Sequence, residues 1–287
     1  MKIAIAACAA YPQLSPSNAC LRDSLAQQGA DVVVLSWNRD PMAAFLAADV
    51  TILRQTWDYQ ADPGGFAAWA VRLEALGGCL EAPAALAVWN NDKRSLIELG
   101  AFGLPIPRTI ALSGAPDEDP FSQLAGERIV LKPAFGGSGV GVQLTDRQNY
   151  ETALEALRAE APGRPVMAQE FLPEIADGEW KMTCIEGRVA LTVRAVPRPN
   201  EFRINARYGP EIRLEDPPTV AITAAEAVLA KVGTPLCARV DGIMRDGQFF
   251  CTEIEITDPD LHLHYAPTVA DGLAEAIIRR VERHSAA

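Results

Sequence analysis

Residues 134–141 read Ala-Phe-Gly-Gly-Ser-Gly-Val-Gly, and this segment constrains the fold more than any other. An apolar run, Arg128-Ile129-Val130-Leu131-Lys132-Pro133, enters it, and a second apolar run, Val140–Leu144, is expected to leave it as a strand. Glycine lets backbone N–H groups approach an anion closely because no Cβ intervenes. No Gly-Lys-Ser/Thr precedes a helix, so the segment is not a strand–loop–helix phosphate site but a flap between two strands. Lys132 at the strand end offers a charge to a phosphate. By itself the segment is equally compatible with a plain glycine-rich hairpin.

The flanking sequence divides into three parts. The first alternates strand and helix: apolar runs at Ile3–Ala7, Asp31–Leu35 and Val50–Leu53 suit buried parallel strands. Ser17 is expected to cap a helix carrying Leu21 and Leu25, and Phe66, Trp69, Leu73 and Leu76 follow helical spacing up to Gly77-Gly78. In the middle part Asp92–Leu99 reads as helix, followed by a stiff Gly103–Pro107 connector, the glycine flap, a helix with Tyr150, Leu154 and Leu157, and a strand at Pro165–Gln169. The last part holds two hairpins, Trp180–Ile185 with Arg188–Ala195 and Ala238–Met244 with Gln248–Ile256, and helices at Ala221–Lys231 and Thr268–His284. The expected fold is α/β (α+β): an N-terminal βαβ domain over residues 1–90, a small central lid domain over 91–168, and a C-terminal antiparallel-sheet domain over 169–287.

The second hairpin carries three carboxylates, Asp241, Glu253 and Glu255. Glu253 and Glu255 share a face by strand alternation. A three-residue loop, Arg245-Asp246-Gly247, would pair Met244 with Gln248 and Asp241 with Cys251, and this register places Asp241 on the same face. Three like charges on one face repel unless cations neutralise them, and hard oxygen donors suit Mg²⁺. A solvated acidic face is the plainer alternative.

Other candidates are Lys93 in Asn90-Asn91-Asp92-Lys93 and the polar segment Glu201–Gly209, with Arg203, Asn205 and Arg207. Arg203 could stabilise a transferring phosphoryl group. The strand exit Gln169–Leu172 could offer backbone donors and acceptors to a planar base. Arg54, Trp57, Asp58 and Tyr59 follow the third strand, where α/β sheets bind ligands.

The formal charge of −11 argues against non-specific nucleic-acid or anionic-membrane binding. No apolar run is long enough to span a bilayer, and the N-terminus reads as a strand, so the chain is expected in the cytoplasm. The six cysteines form no CxxC pair and read as buried free thiols.

The order of these pieces, from about Trp89 to Thr257, resembles the ATP-grasp superfamily, particularly the glutathione-synthetase type. The resemblance implies that Lys93, Lys132, Gly136, Gly137, Ser138 and Gly139 contact ATP phosphates. It implies that Glu170, Phe171 and Leu172 bracket adenine and that Glu179 holds the ribose. Lys181, Arg203 and Asn205 would serve catalysis, and Asp241, Glu253 and Glu255 would hold Mg²⁺, as two ions. The family usually has Asn where this chain has Glu255. Leu53–Tyr59 followed by Trp89–Lys93 is similar to D-cycloserine synthetase and related small bacterial ATP-grasp enzymes, with Arg54, Trp57, Asp58, Tyr59 and Arg207 as substrate contacts. The implied activity is an ATP-dependent carboxylate–amine ligase working through an acyl phosphate on small molecules. Intramolecular cyclisation of an amino-acid derivative and a non-catalytic ATP-binding regulator are the alternatives, and a homodimer is the family expectation.

Overall fold

The computed structural model describes residues 1–115 and 118–285. In chain order the elements are β1 (Lys2–Ala7), α1 (Pro16–Gln27), β2 (Asp31–Ser36), α2 (Met42–Leu46), β3 (Val50–Gln55), α3 (Pro63–Ala75), α4 (Ala84–Asn91) and α5 (Ser95–Ala101). They continue with β4 (Thr109–Ala111), β5 (Arg128–Pro133), β6 (Gln143–Asp146), α6 (Tyr150–Glu160), β7 (Val166–Glu170), β8 (Glu179–Ile185), β9 (Arg188–Val196) and β10 (Glu211–Leu214). The last four are α7 (Thr219–Lys231), β11 (Cys237–Arg245), β12 (Gln248–Glu255) and α8 (Pro267–Ser285).

These strands form three sheets. The first is parallel, in the order β2-β1-β3. Its central strand, Ile3–Ala7, is apolar and buried on both faces, as a parallel strand between helical layers requires. One face packs on α1 and α8 through Ile3, Ile5, Leu21, Leu273 and Ile277, and the other on α3 and α4 through Phe66, Trp69 and Ala87. The sequence division at residue 169 grouped the final helix with the carboxylate hairpin. Its apolar stripe is instead buried on the first sheet, so the chain returns to its N-terminal part.

The second sheet, β4-β7-β5-β6, is antiparallel and is covered by α6 through Leu154 and Leu157. The third, β10-β9-β8-β11-β12, is also antiparallel. In β8 and β11, Trp180, Met182, Cys184, Ala238 and Val240 face α7, and Leu96 and Leu99 of α5 join that core. Strand alternation therefore turns Glu179, Lys181, Thr183, Arg239 and Asp241 to the opposite, polar face.

Several local expectations are corrected. Ser15, not Ser17, caps α1: its hydroxyl accepts from the Asn18 amide, and Pro16 starts the helix. Asp92–Leu99 is not one helix. The chain leaves α4 at Asp92 and re-enters at Ser95, which puts Lys93 at a break. The strand after the glycine flap is Gln143–Asp146, because Val140 and Gly141 still belong to the turn. The β11–β12 loop has two residues, Asp246 (φ 50°) and Gly247 (φ 76°), both left-handed, so Arg245 pairs with Gln248. This is the Asp-Gly turn whose twist matches a hairpin.

Among the described residues the six cysteines are free; Cys8, Cys184, Cys237 and Cys251 are buried, and Cys20 and Cys79 are partly buried. No described helix is long and apolar enough to cross a membrane.

Candidate active site

The two-residue turn alone would put Glu253 and Glu255 on the face opposite Asp241. A bulge prevents this. Gly242 pairs with Cys251 and Asp241 with Glu253, so Thr252 is the extra residue. The expected common face is correct, but the bulge rather than the loop length creates it. Thr252 is not idle: its hydroxyl donates to Glu179 Oε1 at 2.5 Å.

The polar face is then organised in two rows across the strands. Lys181, Asp241 and Glu253 stand side by side, as do Thr183, Arg239 and Glu255. Lys181 Nζ donates to Asp241 Oδ2 at 2.7 Å and to Glu179 Oε2 at 3.2 Å. Arg239 clamps both Asp241 oxygens at 2.7 and 2.8 Å and reaches Glu255 Oε1 at 2.6 Å. Lys93, from the α4–α5 break, forms an ion pair with Glu253. Asp241 is fully buried, and despite that burial Arg239 and Lys181 hold its carboxyl far below the ordinary range.

Arg239 was not singled out from the sequence. It stands two residues before Asp241 on the same strand face, and that spacing is the signal that could have found it. Asn90 was missed as well: its amide donates to the Ile254 carbonyl and accepts from the Ile256 amide, fixing the end of β12.

Two cavities meet at these rows. The first lies between the second and third sheets and is lined by Lys132, the flap, Gln169–Leu172, Glu179 and Arg203. Lys132 Nζ donates to Gln169 Oε1 at 2.9 Å, and burial, with repulsion from Lys93, pushes its pKa down to about 7. At the far end the Arg128 guanidinium sits 4.6 Å from the Phe171 ring centroid, and Phe202 meets Phe171 edge-on. Glu170 is bound by Arg245 at 2.7 Å. Glu201 holds Arg203 in a two-pronged pair that lowers the Glu201 pKa to about 2.

The flap roofs the junction. Ser138, Gly139 and Gly141 all have positive φ. A Cβ on Gly139 would lie 2.6 Å from Asn205 Oδ1 and 2.8 Å from the Tyr208 ring, so only glycine permits the close approach. Tyr208 donates its hydroxyl hydrogen to the Gly139 carbonyl at 3.1 Å. Gly136, Gly137 and Ser138 wall both cavities, as do Lys93, Lys181, Asn205, Glu253 and Glu255.

The second cavity extends from this junction toward the first sheet, where Trp57, Tyr59, Arg239, Asp258 and His262 line it. Three residues expected at the substrate, Arg54, Asp58 and Arg207, line neither cavity. Arg54 is wholly enclosed, paired with Glu81 and Cys237 behind the cavity wall. Asp58 is held by Trp37 Nε1 and Asn38 Nδ2 at 2.7 and 2.6 Å and lines neither cavity. Arg207 is exposed and lies over the Tyr208 ring at 5.2 Å, outside both cavities. Arg54 and Asp58 are thus engaged by side chains outside the cavities, and Arg207 faces solvent.

The donor set fits a hard divalent cation. Ligand oxygens of Asp241, Glu253 and Glu255 lie within 4.8 Å of one another. Arg239 and Lys181 already engage both Asp241 oxygens, so Glu253 and Glu255 are the carboxylates that face the junction.

Residues 99–247 match the family model described as "Prokaryotic glutathione synthetase, ATP-grasp domain", and residues 3–81 match "D-cycloserine synthetase DcsG, N-terminal domain". The chain is 25% identical over 183 residues to glutathione synthetase of Agrobacterium fabrum, covering 60% of this chain and 53% of that protein. It is 26% identical over 279 residues to the cycloserine biosynthesis protein DcsG of Streptomyces lavendulae, covering 88% of this chain and 90% of that protein. The chain thus spans about half the length of the first glutathione synthetase but nearly all of DcsG. The crystal structure of D-cycloserine synthetase DcsG superposes with a TM-score of 0.83 at 23% identity, covering 98% of this chain and 100% of that one. The D-alanine–D-alanine ligase of Bacillus anthracis complexed with ATP gives 0.72 at 16% identity, covering 99% and 98%. With more than half its residues inside the ATP-grasp family match, the chain belongs to the ATP-grasp family of the glutathione-synthetase type.

Proposed function

We propose that the protein is an ATP-dependent carboxylate–amine ligase that activates a small carboxylate as an acyl phosphate and releases ADP and phosphate. One observation carries this reading: a phosphate-type cavity and a second cavity open onto the same cluster of Lys93, Lys181, Glu253 and Glu255 beneath one flap. A γ-phosphate entering from the first cavity and a carboxylate entering from the second would meet there.

Phe171 and Phe202 would flank adenine, Glu170 and Leu172 would offer backbone groups to its edge, and Glu179 would receive the ribose. Lys132, Lys93 and the flap amides would hold the phosphates, and Arg203 and Lys181 would stabilise the charge that develops on transfer. Glu253 and Glu255, with Asp241 behind them, would hold Mg²⁺, which when bound neutralises phosphate charge. The flap, latched by Tyr208, would exclude water that hydrolyses the acyl phosphate.

A screen for ADP release over amino acids, other small carboxylates and ureido compounds tests this. Release should depend on substrate and should collapse in Lys132→Ala and Glu253→Ala. AMP and pyrophosphate as products would sink the acyl-phosphate scheme. A second reading, ring closure within one amino-acid derivative, is favoured by the likeness to DcsG along nearly the whole chain. Product mass separates the two: ligation joins two substrates, whereas cyclisation retains one.

A further inference from the structure

The turn after β12, residues 258–263, carries a histidine that the phosphate chemistry does not use. His262 lines the second cavity but not the first. Its backbone is left-handed, φ 56° and ψ 23°, a costly conformation for a residue other than glycine. The surroundings impose it. Leu261 and Leu263 on either side are fully buried in the first core. The Leu261 carbonyl accepts from Thr183 Oγ1 at 2.8 Å, and the Leu263 amide donates to Ser17 Oγ at 3.1 Å. Arg239 Nη1 donates to the Asp260 carbonyl at 3.0 Å, and the Asp260 carboxylate accepts the His262 amide at 3.2 Å. Two buried leucines and four hydrogen bonds thus pin this turn and hold the imidazole at the cavity wall.

The ring is also underused. Its Nδ1 is enclosed with no hydrogen-bond partner, and no hydrogen bond of its Nε2 is found among the described residues. The residue as a whole is half-buried, so the enclosed Nδ1 is the nitrogen left without a partner while the ring forms part of the cavity wall. The charged groups around it are Asp260 on its own turn, Arg239 and Asp241 on β11, and Lys181 on β8. Burial pushes its pKa down to about 4, aided by Arg239 and Lys181 and opposed by Asp260 and Asp241, so in the free protein the ring is neutral at neutral pH.

We propose that His262 is the proton acceptor for the attacking nitrogen, held in place by the Asp260–Arg239 turn. The proposal rests on the ligase reading above. Attack forms the C–N bond and breaks the C–O bond to phosphate, the electron pair leaves with phosphate, and the N–H proton passes to the imidazole. An external amine and a nitrogen within the same substrate both satisfy this balance.

The test compares two nucleophiles with His262→Asn, chosen because Asn tolerates left-handed backbone, and with His262→Gln as a second variant. D- and L-alanine serve as the first carboxylates. One arm measures amide formation, and the other uses hydroxylamine, which attacks acyl phosphates without a base and gives a hydroxamate. Amide formation should fall about 100-fold or more in both variants, while hydroxamate formation and ATP binding are far less affected. Equal loss of both products would reduce His262 to a wall of the cavity, and wild-type rates in both arms would remove it from the reaction; either overturns the proposal. Wild-type protein that makes neither hydroxamate nor ADP with these or any other carboxylate of the screen above would overturn the ligase reading itself, and the proposal with it.

Discussion

Asp241 and Glu253 stand directly opposite each other across the β11–β12 hairpin, and they do so only because Thr252 is bulged out between Cys251 and Glu253. A slip of one residue moves every side chain to the other face. The bulge thus converts a hairpin that would split the three carboxylates into one that gathers them, and it hands Thr252 to Glu179.

Gly242, the residue beside the bulge, makes this relationship testable. A Cβ there would lie 2.5 Å from the Phe250 carbonyl oxygen and would strike the Phe249 ring. Gly242→Ala should lower stability by about 1–3 kcal/mol, as overpacking does in cores. Thermal unfolding measures this, and an unchanged midpoint would show that the hairpin absorbs the methyl group.

Arg239→Met should be far more costly. It leaves the fully buried Asp241 with Lys181 as its only direct ion-pair partner among the described residues, and it strips Glu255 of the ion pair with Arg239. Breaking a buried ion pair from one side costs about 3–5 kcal/mol. Urea denaturation should show this loss, and adding Asp241→Asn should recover part of it.

Lys132 predicts proton uptake on nucleotide binding. In the free protein its pKa lies at about 7, so above that pH the amine is largely neutral. A bound phosphate favours the ammonium form and raises the pKa toward its ordinary value. Binding of ATP between pH 7 and the ordinary lysine range should therefore take up a proton. Calorimetry in buffers of different ionisation enthalpy reads this number, and Lys132→Met should abolish it.

Asp258 is buried against Thr56, and burial pushes its carboxyl up to about 8. A folded-state pKa above the unfolded value contributes stability below the unfolded pKa, near 4, and loses it as pH rises toward 8. Asp258→Asn removes the titration, so it should stabilise the protein at pH 7 by up to about 4 kcal/mol. The gain should shrink as the pH falls to 4, and unfolding midpoints across that range would expose a gain independent of pH.

Much of the fold and site was legible because it is encoded locally. The Glu186-Gly187 hairpin, the α6 stripe and the glycine flap each follow from residues a few positions apart. Lys93, Lys132, Lys181, Glu179, Arg203, Asn205, Glu253 and Glu255 all line the junction or the first cavity. Asp241 joins them only from behind, with both oxygens taken by Arg239 and Lys181.

What the sequence by itself determined is the set of chemical groups and their alternation along each strand, since both are fixed by covalent spacing. Tertiary structure decided which charges are free. Arg54 and Asp58 carry the right chemistry, but Glu81, Trp37 and Asn38, distant in sequence, reach them first. Only packing brings α8 back onto the first sheet and pins the 258–263 turn, placing His262 at the second cavity. Such pairings depend on contacts between residues as many as 247 positions apart, and no local period records them.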